Sequence, residues 1–525
     1  MSLFRFSWRL VWRGAAIWCT LIVVTLFSGA TAYVTAYPSE HSRQVLASTF
    51  GTSRALDALY GVARQLDTPG GFIAWRYGTA VYVVAALWVL LAVTRLLRGE
   101  EEQGRADPLL AAPVSRARLL SAQLGAIAVG VALLGVGTTV GCLAARLPVG
   151  GSMLLGVACA GVAATFGALA AVSSQLFDSR RRAAGVVGAV LGLSFILRAL
   201  GDGSAGARWL VWLSPIGWAE KVGPFVDNDV APLLLLALLP AVLVGVTYWL
   251  QERRDTGDSI VQASTRETRM RPVRSAGALD WRLARGGLLA WAAGVVFYGV
   301  LLGYLAGDIA NFARQDKNIN DMFARLGGAS VVTVDGFLGL TFSIVGVVLA
   351  VYAGSQISAG RTLESDGRVE PVVAAGVSRA RWLSTRAGVG VASTLVLAVC
   401  AGVSAWAGAQ LSGVGAHLVS AVGGALNVVP VALVFGGLTV LAFGAAPRFT
   451  AATAFGAVTI AYLVQFIGAV ANAPGWFLDL SPFQHVAAVP FHPVNLTSTL
   501  VMLSAAVALF GLGTAAFRRR DLAEI

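Results

Sequence analysis

In 525 residues there are two lysines, Lys221 and Lys317, and neither follows a glycine-rich GxxxxGK[ST] stretch. The chain therefore lacks the loop that cradles nucleotide phosphates. The four histidines, His41, His417, His485 and His492, form no HExxH pattern and pair with no cysteine, so no metal site is expected. The four cysteines, Cys19, Cys142, Cys159 and Cys400, all fall in apolar runs and suggest no disulfide framework. Charge is scarce too. Only 13% of residues are charged, about half the share of a soluble domain.

What fills the chain is apolar. It is 57% hydrophobic with 61 glycines, and its mean hydropathy is +0.74. Runs that reach the roughly 20 residues needed to cross a hydrocarbon core occur near 14–35, 77–95, 119–143, 150–174, 183–200, 230–250, 286–305, 336–356, 383–409, 417–444, 451–471 and 496–516. The expected fold is all-α, a polytopic membrane protein with twelve transmembrane helices. With both termini placed in the cytoplasm, more than two thirds of the 39 basic residues lie on cytoplasmic segments, as the positive-inside rule requires. The net charge of +12 is thereby explained by the inner membrane surface, and no nucleic-acid partner is implied. Arg5, Arg9 and Arg13 repeat at helical spacing beside Phe4, Trp8 and Trp12, so residues 3–13 read as an interfacial helix. No cleaved signal peptide is expected, because Trp8-Arg9-Leu10 recurs in mid-chain as Trp281-Arg282-Leu283.

That recurrence is part of a larger one. GRADPLLAAPVSRARLLS at 104–121 matches GRVEPVVAAGVSRARWLS at 367–384 in twelve of eighteen positions. Trp209, Leu213, Ser214 and Pro215 recur as Trp476, Leu480, Ser481 and Pro482, and Arg253-Arg254-Asp255 as Arg519-Arg520-Asp521. The chain divides into a first six-span half at 1–250, a cytoplasmic linker at 251–280 and a second half at 281–525. Six spans per half gives both the same orientation, hence two parallel six-helix pseudo-repeats.

The duplicated polar segments, 99–116 and 360–379, lie between the second and third spans of each half. Glu101, Gly104, Asp107, Leu109, Leu110 and Arg116 in the first correspond to Glu364, Gly367, Glu370, Val372, Val373 and Arg379 in the second. A plain connector does not need an acid, an apolar pair and a Ser-Arg at fixed spacing. A short helix with acids at one end and an apolar face reads as a docking peg; an inner-surface helix tucked against the bilayer is the plainer alternative.

The pattern E-x-x-G-x-x-[DE]-x-L-L-x-x-P-V-S-R resembles the coupling segment of type-two ABC exporter membrane subunits. LSPIGWAEKVGPF at 213–225 and RRDL at 519–522 are similar to the actinobacterial tetronasin and polyketide antibiotic-exporter branch. Such subunits ordinarily carry six spans and pair, so this chain resembles a fused pair. The resemblance implies a permease without enzymatic activity or cofactor of its own. It implies two copies of an ABC ATPase subunit as partners, holding ATP and Mg and docking on the two coupling segments. It further implies export of lipophilic small molecules, as in multidrug or antibiotic efflux and resistance, across the bacterial inner membrane. The second segment departs from the pattern at Gly376, where the first has Pro113.

A proton-coupled major facilitator also has twelve spans in two parallel halves and is the alternative reading. It ordinarily carries buried carboxylates, and no Asp or Glu falls in the middle of an apolar run here. For cargo, the fifth span of the second half places Phe455, Thr459, Tyr462 and Phe466 on one face with Gln465 beside them. The first-half counterparts of Tyr462 and Gln465 are Phe195 and Arg198. An aromatic face of this kind also suits core or lipid packing, and Arg198 also suits snorkelling to the headgroups. The resemblance implies that second and fifth spans line the cargo cavity, which adds Tyr82, Trp88 and Phe342.

Overall fold

The computed structural model describes residues 2–51, 54–105, 114–203, 205–253, 275–315, 333–470 and 474–520, and among them helix is the only regular secondary structure. The chain forms two compact units, Met1–Glu267 and Thr268–Ile525, which divide inside the 251–280 stretch. Eleven helices among the described residues are long and apolar enough to cross a membrane, which makes this a multi-pass membrane protein.

In the first unit, Ser2 caps α1 (Leu3–Ala36) by accepting from the Arg5 N–H. At 34 residues α1 is about 51 Å long, well beyond the ~30 Å hydrocarbon core. The separate interfacial helix expected at 3–13 is instead the first three turns of this rod. Nothing before Gly14 breaks the helix, and Gly14 serves packing: a Cβ there would lie 2.7 Å from Trp88 Nε1. The unit continues with the short helices α2 (Glu40–Phe50) and α3 (Arg54–Tyr60). Then come α4 (Pro69–Thr94), α5 (Arg116–Ala144), α6 (Val149–Leu176), α7 (Arg180–Gly203), α8 (Pro215–Lys221) and α9 (Ala231–Glu252). Thr68 caps α4 with Pro69 in its first turn, where a missing N–H costs nothing. A π turn, Arg95–Gly99, carries α4 onward to Glu102.

The second unit holds α10 (Ala276–Gln315), α11 (Val334–Ser365), α12 (Glu370–Ala374), α13 (Arg379–Leu411), α14 (Leu418–Asn427), α15 (Val429–Ala445), α16 (Val458–Val470) and α17 (Leu496–Arg519). The span expected at 451–471 differs from the others. Its helix is interrupted by a π turn at Thr453–Ala457, and the α-helical part that follows has only 13 residues. The tenth span is interrupted at the single residue Val428, between α14 and α15, where Pro430 in the first turn of α15 has no N–H to continue the ladder. Pro240 lies inside α9, which runs on around it.

Packing repeats between the units. In the first, α1 packs on α5, α4 on α6 and α6 on α9; in the second, α10 packs on α13, α11 on α15 and α15 on α17. These are the same three pairings of spans. Each unit has its own core, centred on Ile73, Val89, Leu155 and Phe166 in one and on Leu338, Leu349, Phe435 and Val431 in the other. The α15–α17 seam is set by glycine, since a Cβ at Gly444 would meet the Gly513 carbonyl oxygen at 2.1 Å.

Candidate functional site

The polar segments begin and end with the same local chemistry. After α4, the Gly104 N–H donates to the Glu101 carbonyl at 2.9 Å and the Arg105 N–H to that of Glu100 at 3.0 Å. After α11, Gly367 donates to Glu364 and Arg368 to Leu363, both at 3.0 Å. This is a Schellman stop, which needs a left-handed residue. Gly104 has φ +64° and Gly367 φ +69°, a region where a side chain is strained. The restart is also shared: Ser115 caps α5 by accepting from Arg118 N–H, and Ser378 caps α13 by accepting from Arg381 N–H, both at 3.3 Å. The glycine and serine of the duplicated pattern are thus backbone punctuation.

Side chains brace the stop. Arg98 pairs with Glu101 at 2.8 Å and Arg361 with Glu364 at 3.1 Å, each three residues apart on the helix. In the second unit Arg520, from the end of α17, also pairs with Glu364 at 2.7 Å, and its carbonyl accepts from Arg379 Nη1 at 2.6 Å. The Glu364 side chain is 2% exposed and that of Glu101 23%. In the first unit Arg98 Nε also donates to the Asp178 carbonyl at 2.9 Å, and Arg105 forks onto Glu100 at 2.9 and 3.0 Å.

Between stop and restart the second unit forms the one-turn helix α12, closed by Gly376 at φ +90°. Val372 and Val373 are half-buried against the cluster of Ile357, Leu383, Phe443 and Phe517, while Glu370 and Pro371 are exposed. In the first unit Arg116 opens α5, and its carbonyl accepts from Gln251 Nε2 at 3.2 Å. Asp107, Leu109 and Leu110 lie outside the described residues.

At the other end of the first unit, Arg198 is fully buried. Its Nη2 donates to the Leu59 carbonyl at 3.0 Å, while Nη1 lies 3.5 Å from Glu220 and 3.8 Å from Asp202. The guanidinium also rests 4.7 Å from the Phe195 ring centroid. The Thr79 hydroxyl donates to Glu220. Arg198 therefore does not snorkel; it holds together α7, α8 and the end of α3. Nearby on α3, burial pushes the Asp57 carboxyl above the ordinary carboxylate range, opposed by the hydrogen bond it accepts from the Ala63 N–H. Asp202 and Glu220 carry this cluster and were not singled out from the sequence. The Arg198–Asp202 spacing of i, i+4 was the available signal.

The second unit has no such charges at the matching places. Thr79, Arg198, Asp202 and Glu220 correspond to Phe342, Gln465, Ala469 and Ala487. Phe342 is buried in the core. Tyr462 meets Phe483 edge-on at 6.4 Å, and Phe483 stacks on Phe435 at 5.3 Å. Gln465 is half-buried, and the Phe466 side chain lies outside the described residues. In the first unit Tyr82 and Trp88 are buried, Trp88 wedged between Gly14 and Gly130. Of the cargo candidates, then, Phe195 and Arg198 are in direct contact, Tyr462 joins an aromatic cluster, and Tyr82, Trp88 and Phe342 are core residues.

Residues 2–250 and 273–518 match the family described as the multidrug efflux system permease Rv1217c, C-terminal domain. The chain belongs to this permease family. It is 34% identical over 514 residues to the multidrug efflux system permease protein Rv1217c of Mycobacterium tuberculosis (strain ATCC 25618 / H37Rv), across 96% of this chain and 92% of that protein. The matched stretches take in both helical units and both polar segments.

Proposed function

We propose that this chain is the membrane subunit of an ABC-type multidrug exporter, moving lipophilic small molecules across the bacterial inner membrane with both termini in the cytoplasm. Two copies of a separate ATPase subunit, carrying ATP and Mg, dock on segments 99–116 and 360–379. The observation that carries this reading is the repeated stop and restart around Gly104 and Gly367, rigidly braced to the second span by Arg98–Glu101 and Arg361–Glu364. A push on the base of such a segment reaches the span through these ion pairs and the helix-closing hydrogen bonds. The exposed Glu370 and Pro371, with Asp107, Leu109 and Leu110 in the first copy, make the contact. Glu101, Glu364 and Arg379 hold its base. Family membership supports efflux, and the aromatic faces around Phe195, Tyr462 and Gln465 suit an amphipathic cargo.

The test is transport of a lipophilic dye into inverted membrane vesicles, with and without a co-expressed ABC ATPase subunit. Uptake should require ATP and that partner, and Glu370→Lys should reduce it about tenfold without lowering the amount of chain in the membrane. Transport that proceeds without the ATPase and collapses on adding a protonophore would overturn the reading.

A further inference from the structure

A cleft of about 660 Å³ opens in the first unit between α1, α4 and the start of α7. Four arginines line it: Arg9 and Arg13 from α1, Arg95 at the end of α4 and Arg180 at the first turn of α7. Among the described lining residues there is no carboxylate. Outside the lining, Glu102 accepts from the Arg180 backbone N–H at 2.8 Å and also acts on its guanidinium, while Asp178 pairs with Arg182. Trp12 and Trp88 also face the cleft, and the Arg13 guanidinium lies 5.7 Å from the Trp12 ring centroid.

The arginines sit where both helices pass from charged to apolar sequence, so the cleft lies at the boundary between headgroups and hydrocarbon. From it an apolar track leads into the membrane. Ile17 and Leu21 follow Arg13 at i+4 and i+8, Leu87 precedes Leu91 by four, and all four apolar residues are exposed. A concentrated positive charge continuous with an exposed apolar track fits an anion that carries an acyl chain. A free inorganic anion would use only the upper part.

The second unit lacks the site. Arg9 has a counterpart in Arg282, but Arg13, Arg95 and Arg180 correspond to Gly286, Ser358 and Pro447. We propose that this cleft binds one anionic phospholipid per chain, its phosphate held by Arg9, Arg13, Arg95 and Arg180 and an acyl chain laid along Leu91, Leu87 and Ile17. Basic pockets between spans at the headgroup level are suited to such lipids.

Native mass spectrometry of the full chain in mild detergent, with phosphatidylglycerol and phosphatidylcholine competing, tests this. One phosphatidylglycerol should be retained per chain, at least tenfold in preference to phosphatidylcholine. Arg13→Gly with Arg95→Ser, which installs the second unit's residues, should remove about tenfold of that preference. Arg118→Ser with Arg381→Ser, which deletes the same charge at other exposed sites, should leave it intact. Should the first double variant not purify, Arg95→Ser alone is read, with a several-fold loss expected. Equal retention of both lipids, equal loss in the control variant, or displacement of the lipid by excess inorganic phosphate would each overturn the proposal, the last assigning the cleft to a free anion.

Discussion

Gly104 and Gly367 close their helices with the same pair of backbone hydrogen bonds and the same arginine–glutamate brace. At the opposite end, Thr79, Arg198, Asp202 and Glu220 of one unit give way to Phe342, Gln465, Ala469 and Ala487 of the other. The difference separates two kinds of constraint. A left-handed turn admits very few residues, so a loop that must keep its shape keeps its glycine. An enclosed space between helices is less demanding, because either a cluster of opposite charges or a packed aromatic cluster fills it.

The sharpest way to break this comparison is at Arg198. Arg198→Gln alone leaves the half-buried Asp202 and Glu220 without the Arg198 guanidinium and should cost about 3 kcal/mol, read as a fall in the thermal midpoint. Adding Asp202→Ala and Glu220→Ala installs the second unit's residues at all of these positions except Thr79 and should recover more than half of that loss. If the triple variant is no better than the single, the two ends are not interchangeable solutions.

Next come the braces. Glu364→Gln removes a buried carboxylate from two arginines and should cost about 2–3 kcal/mol. The more exposed Glu101 should lose about half as much on the same change, and chemical unfolding of each variant decides the order. Gly104→Ala and Gly367→Ala should then cost about 1–2 kcal/mol apiece through their positive φ. Equality of the two in a thermal melt is the expectation, and asparagine at either position should be milder. The smallest effect belongs to the place where the segments differ. Pro113→Gly should lose about 0.5–1 kcal/mol through a freer unfolded chain. Gly376→Pro should lose more, because proline cannot take φ +90°.

Most of the helical plan was readable in advance, because spans are written in long apolar runs and the duplication is written in identities. The misreadings have local causes. Residues 3–13 look amphipathic, yet an amphipathic stretch joined to a span without a breaker simply extends it, as α1 does. The 451–471 run is apolar enough to span, but periodicity does not report the π turn at Thr453–Ala457. The duplicated Gly and Ser belong to the docking pattern by sequence, and their geometry adds a second role, ending and starting helices. Glu220 escaped notice because its partner Arg198 lies 22 positions earlier in the chain, and only folding brings them within 3.5 Å.

One polar unit and one aromatic unit occupy a single polypeptide. Two unlike half-length chains made separately would assort at random, and half of all pairs drawn from an equal pool would be alike. Covalent linkage through residues 251–280 fixes the ratio at synthesis, whatever the expression level. Heterogeneity between the halves is therefore inherited by every molecule rather than selected from a mixture, which lets each half specialise without a recognition code to sort it from its sibling.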